Sequence, residues 1–313
     1  MPSVTAFAPA TVSNVGCGFD ALGFAIDGPG DEITAEFREG TGVEITAIAG
    51  DNGRLSLDAH RNTAGVAALA LLAALGKTRG VSLAIRKGLP LASGLGGSAA
   101  SAAAAVVAVD ALLGTRAPVD LLIACALEGE RLGAGSAHPD NVVPAICGGF
   151  VLVRNPQPLD VVRLPVPAGL TAVVVHPALE IETASARALL GDAIPLADAI
   201  RQWANLGALV DGLHRSDFEL ISRALVDSVA EPRRAGLVPG LEAIKRAAVA
   251  AGALGAGLSG SGPSLFALCR DRATADRAAV AMTAAVDAHI RGGSQTYVSA
   301  IASGARVVAT CTS

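Results

Sequence analysis

Residues 90–101 read PLASGLGGSAAS, with three glycines and three serines in twelve positions, and run straight into an alanine-rich block. Without Cβ atoms a backbone folds tightly and can bring several N–H groups to one ligand. A helix that begins where such a loop ends adds unpaired N–H groups and a partial positive charge. Serine hydroxyls supply further donors for phosphate oxygens, or a seat on Mg²⁺. The stretch reads as an anion cradle; the alternative is a glycine-rich helix start packed for closeness alone. It lacks the lysine of G-x-x-x-x-G-K-[ST] and is not a strand-proximal G-x-G-x-x-G with a ribose-binding acid, so it is neither a Walker A loop nor a Rossmann turn.

The cradle sits between two clear signals. VSLAIRKGLPL (81–91) reads as a strand leading into it, and SAASAAAAVVAVDALLG (98–114) as a buried helix leaving it. Upstream, TAFAPATVS (5–13) and EITAEFREGTGVEITAIAG (32–50) carry β-branched alternation between turn residues. NTAGVAALALLAALG (62–76) is apolar nearly all round and stops at a glycine, so it reads as a second buried helix. APVDLLIACALEGERLG (117–133) has proline near its start and glycine at its end, the usual helix asymmetry. NPQPLDVVRLPVP (155–167), with four prolines, marks a junction and predicts domains over 1–157 and 158–313. Beyond it come a strand (170–177), helical segments between 185 and 229, a helix (241–252), a strand pair (253–259 and 264–269) on a glycine-rich turn, a helix (273–290) and a final strand (294–302). Leaving aside the inserted helices, this is the order of a split βαβ unit, in an α+β chain.

Composition bounds the function. The chain has 313 residues, 51% hydrophobic and 17% charged, long enough for two packed domains. Only 3% is aromatic and the net charge is −4 with no basic run, which counts against nucleic-acid partners. A small anionic ligand needs only local donors. The five cysteines are scattered without a C-x-x-C, so buried thiols are expected rather than disulfides or a zinc site. The first residues lack the features of a signal peptide, and the most apolar run is too short for a bilayer, so a cytoplasmic protein with no membrane partner is expected.

The form P-x-x-x-G-L-G-[SG]-S-A-A resembles the phosphate loop of the GHMP kinases, which phosphorylate small molecules with ATP; Pro90, Gly94, Leu95, Gly96, Ser98, Ala99 and Ala100 fit it. Gly97 departs from the serine many members carry, which removes one hydroxyl and leaves the backbone donors. APATVSNVGCGFDALGFAI (8–26) resembles the first motif, in the form P-A-[ST]-x-x-N-x-G-x-G-F-D-x-x-G, and GAGLSGSGPSLFAL (255–268) the third. A fourth segment, GERLGAGSAHPDNVVPAICGGF (129–150), carries H-x-D-N-V-x-P followed by G-G and is similar to the homoserine kinase branch. The resemblance covers essentially the whole chain. It implies a ribosomal-protein-S5-domain-2-like ATP domain followed by a ferredoxin-like domain.

Carried over residue by residue, it implies ATP, Mg²⁺ and L-homoserine as ligands, and is compatible with a homodimer. The ATP site would comprise Asn62 and residues 90–101 (Pro90, Leu91, Ala92, Ser93, Gly94, Leu95, Gly96, Gly97, Ser98, Ala99, Ala100, Ser101), backed by the third-motif loop Ser259, Gly260, Ser261 and Gly262. For Asn62 the plain alternative is a helix cap. Glu130 would hold Mg²⁺ with the Ser98 hydroxyl, since Mg²⁺ takes one or two protein oxygens beside phosphates and waters; Glu128 reads as surface. Asp20 would meet the substrate ammonium, Asn14 the region of its hydroxyl, Arg187 and Arg234 its carboxylate, with His138 and Thr183 beside them. Asp140 and Asn141 complete the catalytic set. Some relatives use an aspartate base with a nearby lysine; here Lys77 and Lys87 read as lying elsewhere, so base-free transfer is expected. The competing readings are another small-molecule GHMP kinase and a non-catalytic nucleotide-binding relative.

Overall fold

The computed structural model describes residues 2–134 and 137–311. Its first part runs β1 (Ser3–Ser13), β2 (Leu22–Arg38), β3 (Val43–Ala49), α1 (Thr63–Ala74), β4 (Gly80–Arg86), α2 (Gly97–Leu113), α3 (Val119–Ala134), α4 (Pro139–Cys147), β5 (Phe150–Pro156) and β6 (Leu159–Leu164). It continues with β7 (Thr171–Pro177), α5 (Thr183–Ala188), α6 (Leu196–Arg215), α7 (Phe218–Ala224), α8 (Glu231–Arg234), α9 (Leu241–Ala250), β8 (Gly255–Leu258), β9 (Leu265–Cys269), α10 (Arg272–His289), β10 (Ser294–Ala300) and β11 (Arg306–Cys311).

The strands form a seven-stranded sheet, ordered β11-β1-β2-β4-β3 with β5 and β6 branching from β2, and a four-stranded sheet ordered β10-β7-β9-β8. The second sheet with α9 and α10 is the expected split βαβ unit. The division at 157/158 is not the division of the sheets, because β6 and β11 both join the seven-stranded one. β6 simply completes a hairpin with β5. β11 is a short, exposed strand after the last expected one, and its partner β1 lies about 300 residues away, where no local pattern reaches.

α2 explains the alanine richness. Its residues Ala99 to Val106 are buried on all sides, between α1 and α3 and against β1 and β2. Small side chains let these elements approach closely: a Cβ on Gly129 of α3 would stand 2.3 Å from the Thr63 carbonyl at the start of α1. Three of the few aromatics meet at the joint between the sheets. Phe24 of β2 packs on Phe150 of β5 (centroids 5.2 Å apart) and edge-on to Phe266 of β9 (6.3 Å). Burial of one such ring stabilises by about 2–3 kcal/mol, so this cluster binds the two sheets into one body.

Cys17, Cys125 and Cys269 are buried as expected, whereas Cys311 on the edge strand is exposed. Among the described residues no helix is long and apolar enough to cross a membrane.

Candidate active site

The glycine-rich segments meet at that joint. The turn between β8 and β9 grips the loop at 93–94 from behind: Ser259 Oγ donates to the Gly94 carbonyl (2.7 Å), and Ser264 donates to the Ser93 carbonyl through both its N–H (3.2 Å) and its hydroxyl (2.6 Å). Asn14 Nδ2 donates to the Gly260 carbonyl (2.8 Å), tying in the first motif. Gly94 and Gly96 adopt φ of +75° and +66°. Here glycine is required twice over, since a Cβ at Gly96 would lie 2.1 Å from Thr11 Oγ1 and one at Gly94 2.5 Å from the Ser259 carbonyl. No side chain caps α2 at Gly96. The first N–H groups of α2 are therefore left for an incoming anion.

Under this loop lies a buried network that no local pattern announces. Lys87 Nζ pairs with Asp31 and donates to the Gly97 carbonyl and Ser101 Oγ, both at 2.9 Å. Asp31 also accepts from the Ser101 hydroxyl (2.6 Å) and the Gly88 N–H (3.0 Å). Lys87 thus does not lie elsewhere: it borders the cleft and holds the start of α2. Its only sequence signal is a lone lysine ending an apolar strand, and its carboxylate partner is 56 residues away.

Beside the start of α2, Ser98 Oγ donates to Glu130 Oε2 (2.5 Å), and His138 Nδ1 lies 3.4 Å from Glu130 Oε1. Glu130 is buried on α3, while Glu128 faces solvent and pairs with Arg131. Burial opposes a charge on His138, but the hydrogen bond to Glu130 and the charges of Asp140, Glu130 and Asp20 outweigh it and raise its pKa. Burial, then the negative charge of Asp20, push the Asp140 carboxyl up to about 7. Its Oδ1 is buried without a hydrogen-bond partner. Asn141 Oδ1 accepts from Thr11 Oγ1 (2.7 Å). Ser98 and Glu130 place two hard oxygens side by side, which suits Mg²⁺ arriving with a nucleotide. Among the described residues no group of three His, Cys, Asp or Glu side chains could hold a metal unaided.

The far end of the cleft is charged. Asp20, with φ of +56°, accepts from Arg187 (2.6 Å). Arg234 is 3% exposed and donates to the carbonyls of Gly260 (3.1 Å) and Ala186 (3.3 Å). Burial, then the neighbouring charge of Arg187, lower its pKa from the ordinary arginine value. Arg187 and Arg234 are thus neighbours, while Arg233 turns back to the Val229 carbonyl.

These groups border one cavity of about 620 Å³. It takes in every expected site residue except Leu95, Ala99, Ala100, Ser259 and Gly262. Those five stand behind the loop: the first three are buried in the core, and the other two form the supporting turn. Asn62 borders the cavity but works as a helix cap, its Oδ1 accepting from the Ala64 N–H (3.0 Å) and its Nδ2 donating to the Ser56 carbonyl (3.0 Å). Cys17, in the first motif, is buried, and burial pushes its thiol up to about 12.

Two family models match, the GHMP kinases N-terminal domain over residues 62–149 and the GHMP kinases C-terminal domain over 209–288. The chain is 47% identical to the homoserine kinase of Chlorobaculum tepidum, over 99% of both sequences. It is 49% identical to that of Chlorobium phaeobacteroides, over 90% of this chain and 91% of the relative. A crystal structure of homoserine kinase from Cytophaga hutchinsonii superposes with a TM-score of 0.95 at 49% identity, covering 98% of this chain and 97% of the other.

Proposed function

The chain belongs to the homoserine kinase family of the GHMP kinases, and from that premise we infer its reaction: transfer of the γ-phosphoryl group of ATP to the side-chain hydroxyl of L-homoserine, giving O-phospho-L-homoserine and ADP. The observation that carries the reading is the make-up of the cleft. An uncapped helix start with a hydroxyl–carboxylate pair lies at one end, and one carboxylate with two guanidiniums at the other.

The loop 90–101 holds the triphosphate through backbone N–H groups, with the Ser98 hydroxyl and Glu130 carboxylate seating Mg²⁺. The metal ion, when bound, neutralises charge on the phosphates. Asp20 takes the substrate ammonium, and Arg234 and Arg187 its carboxylate, which leaves the hydroxyl aimed toward the phosphate end. Asp20 and Arg187 occupy each other without substrate, and a zwitterion exchanges into that pair with no net loss of charge pairing. His138, held by Glu130, and Asn14 border the space between. In the transfer step a new O–P bond forms to the homoserine hydroxyl oxygen as the bond to the β-phosphate bridging oxygen breaks. The hydroxyl proton passes to an oxygen of the transferred group. Phosphoryl transfer asks mainly for alignment and charge neutralisation, so no dedicated base is required. Lys87, committed to Asp31 beneath the loop, supplies no partner that would make Asp140 one.

The test is ADP release with L-homoserine, mevalonate and galactose offered separately. Turnover is expected with L-homoserine alone. Equal release with either other alcohol, or ATP hydrolysis indifferent to all three, would overturn the substrate assignment.

A further inference from the structure

Phe19 belongs to neither end of the cleft, yet two cleft arginines share its ring. The guanidinium carbon of Arg187 lies 5.1 Å from the ring centroid and that of Arg234 lies 5.3 Å from it. Two like charges held together repel, and the lowered pKa of Arg234 reflects that after burial. The polar partners of Arg234 are two neutral carbonyls. Arg187 has Asp20, but on the reading above Asp20 is taken by the substrate ammonium. At that moment Arg234 still feels the charges of Asp227 and Asp140, and the π face of Phe19 is the attractive surface that both cations share.

We propose that Phe19 is a positioning residue that keeps Arg187 and Arg234 together and thereby sets the affinity for the carboxylate of the amino-acid substrate. The proposal rests on the two arginines binding that carboxylate. Phe19 follows Gly18, where a Cβ would lie 2.3 Å from the Leu22 side chain, and precedes Asp20 with its left-handed backbone, so the tight first-motif loop fixes where the ring stands. Loss of the ring lets the guanidiniums move apart once the substrate ammonium has drawn Asp20 from Arg187. The cost falls on substrate binding, because the one tie from these arginines to the phosphate end, Arg234 to the Gly260 carbonyl (3.1 Å), does not pass through the ring.

The experiment compares Phe19→Leu, Phe19→Tyr and Arg234→Ala on the full chain, with L-homoserine and with 3-aminopropan-1-ol, which is homoserine without its carboxylate. In Phe19→Leu the KM for L-homoserine is expected to rise about tenfold, the scale of a desolvated cation–π contact, with kcat and the KM for ATP within about twofold. Phe19→Tyr, which keeps the ring, restores KM. For 3-aminopropan-1-ol, which lacks the carboxylate and is expected to be a poor substrate, kcat/KM should be unchanged by Phe19→Leu. A structural role alone would lower both substrates together and would not be rescued by tyrosine; either result overturns the proposal. If Arg234→Ala raises the homoserine KM while Phe19→Leu does not, the carboxylate reading stands and Phe19 is excluded. If Arg234→Ala leaves that KM unchanged, the carboxylate reading itself has failed.

Discussion

The two ends of the cleft are built on opposite principles. The phosphate end is backbone: one contiguous loop, two left-handed glycines, an uncapped helix and a buried Lys87–Asp31 pair beneath. The substrate end is side chain: Asp20 after β1, His138 and Asp140 at α4, Arg187 on α5 and Arg234 on α8, drawn from four separate segments. Backbone donors are fixed by the fold and fit any triphosphate. Side chains on separate segments can be exchanged one at a time, and Asp20 and Arg187 pair with each other while Arg234 keeps its charge beside them. On the proposed function, generality at one end and selectivity at the other follow from that contrast.

The contrast breaks first at the metal pair. Glu130→Gln should lower kcat about a thousandfold, the scale of losing a charge placed to stabilise the transition state, and chelation of Mg²⁺ should abolish turnover; initial rates with and without EDTA check both. Gly96→Ala attacks the backbone end alone, forcing a Cβ against Thr11 at a left-handed φ. Its KM for ATP should rise about a hundredfold, in keeping with strain of about 1–3 kcal/mol plus a displaced loop, while the KM for homoserine moves far less. Arg234→Ala attacks the other end. The homoserine KM should rise about fiftyfold, as expected for lost charge-assisted hydrogen bonds, with the ATP KM within about twofold; an equal loss of both would erase the division between the ends.

Asp140→Asn should cost about tenfold in kcat or less, below the roughly hundredfold at which removal of a general base begins; a loss as large as that of Glu130→Gln, with the fold intact, would establish a base. Asp140 also leaves a mark on stability. Its carboxyl keeps its proton in the fold up to about pH 7, whereas an unfolded chain releases it near the ordinary value. The folded state binds more protons between those limits, so this group lowers stability as pH rises through that window. The Asn variant should therefore melt higher than the wild type at pH 8, and the gap should close toward pH 4. Thermal melts across that range measure it.

Much of the fold and of the site is legible in local sequence. The cradle at 90–101 announces itself through missing side chains, and the split βαβ order through period and punctuation. Local signals fail where partners are distant along the chain. Lys87 looks like a strand-end lysine because Asp31 is on another strand. β11 escapes because the strand it pairs with is β1, about 300 residues away. Phe19 reads as one motif letter, since nothing in the chain says that residues 187 and 234 converge on its ring. Asn62 shows the reverse: the plain cap reading describes what its side chain holds.

Residue types and their local order show which chemical groups are present: glycines that permit a close backbone approach, a hydroxyl and a carboxylate, and acid and arginine. Backbone conformation and side-chain charge are properties of residues and short segments, so they survive in the linear record. It takes the folded chain to settle which of these groups face one another, which pair off without substrate, and which lie behind the loop in support. Those outcomes depend on burial and on contacts between segments far apart in the chain, 246 residues in the case of Asn14 and Gly260, and distance in space is not written in distance along the chain.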